Sequence, residues 1–107
     1  MLNARISVPT SAIPGEVIEI KTLISHPMET GFRRGLDGEK MPRNILKHFQ
    51  CTYLDNVVFE AEFFPAIAAN PYLTFFIKAT QSGELIFTWT DQNGKVTQKN
   101  RSISVQP

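Results

Sequence analysis

The chain predicts an all-β fold, an immunoglobulin-like β-sandwich of about seven strands, formed as a single domain over residues 1–107. Three observations point there. Apolar and polar residues alternate with period two in one segment after another, which marks strands buried on one face. Turn-forming runs (Pro14-Gly15, Asp55-Asn56, Gln81-Ser82-Gly83 and Asn93-Gly94) punctuate these segments at spacings suited to short antiparallel strands. No segment carries a convincing helical pattern.

The first strand is ARISVP, residues 4–9, ended by Pro9. After Pro14-Gly15, EVIEIKTLIS (16–25) places Ile18, Ile20 and Ile24 on one face with Glu19 and Lys21 on the other. LKHFQCTYL (46–54) puts Phe49, Cys51 and Tyr53 inward and His48, Gln50 and Thr52 outward. Asp55-Asn56 turns the chain into VVFEAEFF (57–64), with Val57, Phe59, Ala61 and Phe63 in phase. Residues 65–71 read as a crossing between sheets, because Pro71 can begin a strand but not sit inside a central one. YLTFFIKA (72–79), ELIFTWT (84–90) and KVTQKNRSISV (95–105) complete the set, the last two joined through a type I′ turn at Asn93-Gly94. Leu73, Phe75, Ile77, Leu85, Phe87 and Trp89 join the inward set.

Length and composition fit this reading. A chain of 107 residues buries roughly two-thirds of the surface its unfolded form exposes. Its 42% hydrophobic and 20% charged residues are those of a globular domain, not of a disordered one. The net charge of +1 is spread along the chain, giving no basic face for nucleic acid or anionic lipid. No apolar run approaches the roughly 20 residues of a membrane-spanning helix, and the amino-terminal MLNARISVPT shows no signal-peptide pattern. The expected partners include neither nucleic acid nor membrane.

One connection is anomalous. Some twenty polar, glycine-punctuated residues separate the second and third predicted strands, whereas most connections in compact domains run about 4–6. Asp37-Gly38 would close a β-ribbon projecting from the sandwich, and Arg33 and Arg34 within it offer paired donors to carboxylates or oxyanions. Two further residues break the pattern: Phe76 falls on the polar face of its strand, and Ile86 lies opposite Leu85, Phe87 and Trp89. Apolar residues on an outer face invite a covering chain.

Chemistry-bearing groups are sparse. His26, Met28, Glu29, His48 and Cys51 are residue types that suit copper, but Cys51 is followed by TYLDNVVF, without the His and Met of a blue-copper cluster. The single cysteine excludes an internal disulfide and a multi-thiolate metal site. Alternation sends Cys51 inward and His48 outward, which also disfavours a thiol–imidazole nucleophile. No catalytic, cofactor-binding or metal-binding residue is assigned. A stand-alone ligand- or metal-binding sandwich is the alternative.

SHPMETGFRR (25–34), MPRNI (41–45), AANPYLTFFIKA (68–79) and GELIFTWTDQNG (83–94) together resemble the SoxZ family, the small subunits of the SoxYZ carrier complex of thiosulfate oxidation. The resemblance implies a non-enzymatic, immunoglobulin-like subunit that forms a heterodimer with SoxY. It implies that SoxY carries sulfur intermediates on a cysteine in a terminal Gly-Gly-Cys-Gly-Gly arm, which this chain, ending SISVQP, lacks. It also implies transient contact with other Sox enzymes and a periplasmic location reached by export with a signal-bearing SoxY. The residues expected to meet these partners are His26, Pro27, Met28, Arg33, Arg34, Phe76 and Ile86, with Met28 as an adaptable apolar anchor.

Overall fold

The structure is a computed structural model, and it describes residues 3–32, 34–64 and 67–107. Its strands are β1 (Ala4–Ser7), β2 (Ser11–Ala12), β3 (Val17–Ile24), β4 (Leu46–Tyr53), β5 (Asn56–Glu62), β6 (Tyr72–Lys78), β7 (Gly83–Asp91) and β8 (Val96–Val105). They form a three-stranded sheet in the order β1-β3-β6 and a five-stranded sheet in the order β2-β8-β7-β4-β5. The seven expected strands are present. The eighth, β2, pairs parallel to the end of β8 through Ser11↔Ser104 and Ala12↔Val105. Pro9 stops β1, and the chain then crosses from the small sheet to the large one.

Alternation places the core where the sequence puts it. Ile18, Ile20, Thr22 and Ile24 of β3 are buried, as are Phe49, Cys51 and Tyr53 of β4 and Leu85, Phe87 and Trp89 of β7. Phe49 is the hub: its ring lies 5.1 Å from Trp89, 5.9 Å from Phe75, 6.1 Å from Phe59 and 6.4 Å from Phe87. Phe59 of the large sheet stacks on Phe75 of the small one at 4.2 Å, tying the layers together. Each such side chain contributes about 1.5–3 kcal/mol by leaving water.

Three local expectations are corrected. Val57 is exposed, because the β4–β5 register shifts between Cys51 and Thr52 and turns that end of β5 outward. The β4–β5 turn centres on Leu54 and Asp55, both at positive φ (54° and 63°), one residue before the expected pair. Gly83 leaves room for the side chain of this turn: a Cβ there would come within 2.6 Å of Leu54 Cδ2, which would have to shift. At the β7–β8 hairpin Gly94 takes positive φ but Asn93 does not, and the Lys95 carbonyl accepts from Asp91 N–H at 2.9 Å. That is a three-residue loop with glycine in the left-handed position, rather than a type I′ turn.

The long connection projects. The radius of gyration is 16.3 Å, against about 13 Å for a compact domain of this length, and the molecule extends 61 × 21 × 19 Å.

Candidate partner-binding surface

The connection between β3 and β4 doubles back as a two-rung ribbon. Glu29 and Asn44 exchange backbone hydrogen bonds of 2.8 and 2.7 Å, and Arg34 bridges Lys40 farther out. The tip closes through Gly35 N–H to Glu39 C=O and Gly38 N–H to Gly35 C=O, with Gly38 at φ +83°. Arg34 reinforces it, donating from Nη1 to the Gly38 carbonyl at 2.7 Å. Near the base the two legs come so close that a Cβ on Gly31 would lie 3.2 Å from Arg43 Cβ. Phe32 is 80% exposed and Leu36 fully so. Two large apolar side chains thus stand in water on an arm held away from the core.

What fixes the arm is a set of side chains at its base. His26 donates its backbone N–H to Asn70 Oδ1 at 2.9 Å, and its carbonyl accepts from Asn70 N–H at 2.7 Å. Its Nδ1 accepts the Met28 N–H at 2.9 Å, holding Met28 at a φ of 49°. Met28 Sδ in turn accepts the Leu46 N–H at 3.3 Å. From the β7–β8 hairpin, Gln92 Nε2 donates to the Arg43 carbonyl at 2.8 Å while its Oε1 accepts the Ile45 N–H at 3.3 Å. The stretches containing His26, Asn70 and Gln92 are far apart in sequence, and they converge on this one joint. Burial lowers the pKa of His26, with the Asp91 charge and a hydrogen bond donated by the ring to the Asn44 side chain opposing. The ring is therefore held neutral, the state in which Nδ1 accepts.

The residues singled out from sequence scatter over this frame. His26 and Met28 are only 3% and 4% exposed, so they offer a partner almost no surface and shape the ribbon from within. Pro27 between them is exposed. Arg34 is exposed at the ribbon tip, and Arg33 lies outside the described residues. Phe76, 60% exposed, stands on the outer face of the small sheet with Val17 and Tyr72. Ile86 belongs to the other layer, half-buried on the outer face of the large sheet and flanked in register by Thr52 and Asn100. Phe76 and Ile86 therefore point to opposite sides of the sandwich and cannot share one contact face. Sequence reasoning missed Phe32 and Leu36, although a large apolar residue in a polar, glycine-rich stretch was the available signal. It missed Asn70 and Gln92, which carry no local signal.

The groups considered for chemistry stand apart. His48 Nε2 lies 2.8 Å from Glu60 Oε2 on the outer face of the large sheet, whereas Cys51 is buried on the inner face. Among the described residues no three of His, Cys, Asp and Glu come together as metal ligands. Burial pushes the Cys51 thiol up to about 12, so almost no thiolate exists at neutral pH. Iodoacetamide at about pH 8 is expected to alkylate Cys51 only at the rate of unfolding. Rapid, complete labelling of the folded chain, followed by mass, would contradict the burial.

Fold and geometry define an immunoglobulin-like sandwich distinguished by a braced, projecting ribbon with apolar side chains near its end. The chain belongs to the SoxZ family: the family described as sulphur oxidation protein SoxZ matches residues 6–102. Its role thus lies in sulfur oxidation. Among solved structures, the sulfur carrier protein SoxY from Chlorobium limicola f. thiosulfatophilum is similar, with a TM-score of 0.69 and 14% identity over 97% of this chain and 79% of that one. A superoxide reductase (neelaredoxin) from Ignicoccus hospitalis gives a TM-score of 0.73 at 14% identity, covering 96% of this chain and 80% of that one. A putative superoxide reductase from Thermotoga maritima gives 0.72 at 16% identity, covering 97% and 86%. At such identities these likenesses establish the fold alone. No curated protein matches significantly.

Proposed function

We propose that this chain is the non-catalytic subunit of a SoxYZ carrier of thiosulfate oxidation, forming a heterodimer with SoxY and helping to present it to other Sox enzymes in the periplasm. The observation that carries this reading is the ribbon, fixed at its base by hydrogen bonds to two distant segments, at Asn70 and Gln92, while Phe32 and Leu36 are left exposed. A rigid arm with apolar side chains costs a partner little ordering entropy to grip. A standard interface buries about 800 Å² on each side, which the ribbon and the Val17–Tyr72–Phe76 face together are suited to supply. SoxY, on this reading, alone holds sulfur covalently. The high pKa and burial of Cys51 support that division of labour. Arg34 and its neighbour Arg33 are the candidates for meeting the visiting enzymes.

Mixing this chain with SoxY and measuring the mass by sedimentation tests the reading, with a one-to-one complex expected. The double variant Phe32→Ser/Leu36→Ser is expected to fold normally and to weaken that complex by about tenfold or more. Unchanged affinity would remove the ribbon from the interface.

A further inference from the structure

Among the described residues the two sheets have four edges, at β1, at β6, at β5 and at the side of β8 that the short β2 covers only in part, and all but the β6 edge are guarded. β1 has four residues, includes Arg5 and is followed by Pro9. β5 carries Glu60 and Glu62, and its register with β4 is broken by a bulge. β8 carries Lys99 and Arg101 along its open stretch and is covered at its end by β2. Such charges, bulges and short lengths are how natural sheets prevent unwanted pairing.

The β6 edge has none of these. It runs seven residues as YLTFFIK, in unbroken register with β3, with no proline or glycine inside and no charge before Lys78. The hydrogen bonds at its two ends show which backbone groups are free. Ile24 N–H donates to Pro71 C=O at 3.2 Å, and Ala79 N–H donates to Glu16 C=O at 2.8 Å, so positions 71 and 79 face β3. By antiparallel alternation Leu73, Phe75 and Ile77 face β3 as well, and Tyr72, Thr74, Phe76 and Lys78 turn both N–H and C=O to the open edge. The same four side chains occupy the outer face. Phe76 and Tyr72 therefore flank the very backbone that lacks a partner strand.

We infer that the open edge of β6 takes an antiparallel strand from the SoxY subunit, extending the small sheet across the subunit boundary. This rests on the heterodimer reading and gives it a geometry. Two observations select the occupant. SoxY from Chlorobium limicola f. thiosulfatophilum is similar in fold, and a contact between equivalent edges of two such folds about a local twofold axis would set the two strands antiparallel. The edge also starts at the joint of the ribbon, since Asn70, bonded to His26, is two residues before Tyr72. The edge thus begins where the ribbon is anchored. Strand addition of this kind draws its affinity from main-chain hydrogen bonds, with alternate side chains adding specificity.

Residue-resolved hydrogen exchange of this chain, alone and with SoxY, tests the inference. In the free chain the amides of Leu73, Phe75 and Ile77 exchange slowly and those of Tyr72, Thr74, Phe76 and Lys78 exchange fast. Binding SoxY slows the second set by about a hundredfold or more. The variant Thr74→Pro deletes an outward N–H without touching the β3 ladder, and is expected to raise the Kd for SoxY by about tenfold or more. If a complex forms while the four amides stay fast, or if protection falls on β5 or β8 instead, the edge assignment is overturned and the heterodimer stands. If the four amides become protected with rising concentration of the free chain, a second copy is the occupant and the assignment to SoxY is wrong. If no complex forms, the heterodimer reading itself fails.

Discussion

Phe49→Ala is expected to lower the unfolding free energy by about 3–5 kcal/mol, the cost of truncating a fully buried aromatic residue. Four ring contacts converge on Phe49, including one to Phe75 across the layers, so no single neighbour can fill the space left behind. Domains of this size hold about 5–15 kcal/mol in total, and the variant would stand near the edge of folding. Urea titration followed through Trp89 measures this directly, because the indole lies against the Phe49 ring and is the chain's single tryptophan. A loss below about 1 kcal/mol would mean that the sheets do not pack around Phe49.

His26→Ala is expected to have the next largest effect. It strands the Met28 N–H in a buried site, which costs about 1–3 kcal/mol, and it opens a cavity at the joint of the ribbon. The His26→Asn variant keeps an acceptor close to the position of Nδ1 and should recover part of the loss. The pH dependence has a definite sign. Burial lowers the His26 pKa in the folded chain, so as pH falls through about 6.5 the unfolded chain takes up the proton first. Stability is complete above that value, declines as pH falls below it, and levels off only below the folded pKa. Protonation would also set a donor at Nδ1 against the Met28 N–H. Comparing stability between about pH 7.5 and pH 5 should show a decline in the parent chain that is smaller in His26→Asn. An equal slope in both would show that His26 is not the responsible group.

Alternation made most of the frame legible. Where a strand keeps its period, as in β3, β4, β6 and β7, inward and outward residues followed from sequence because a pleated strand has a fixed two-residue repeat. Facing is not layer, however. Phe76 and Ile86 both stood out as apolar residues on polar faces, and only the pairing of β6 with β3 and of β7 with β4 and β8 shows that they lie on opposite sides. β2 escaped notice because two residues carry no period. His26 and Met28 looked like surface residues because they sit in a polar connection, and the period lapses after Ile24. Their burial depends on Asn70 and on the hairpin that carries Gln92, contacts made 44 or more residues away. The resemblance to the SoxZ family lay in these same stretches, and the structure gives it a physical content: much of what identifies the chain is what holds the ribbon.

Native mass spectrometry of the complex with SoxY, after incubation with thiosulfate and the Sox enzymes and followed by separation of the subunits, tests the central claim most directly. A one-to-one assembly is predicted in which every sulfur adduct resides on SoxY and the mass of this chain is unchanged. An adduct on this chain's own Cys51, or turnover by this chain without SoxY, would contradict the account.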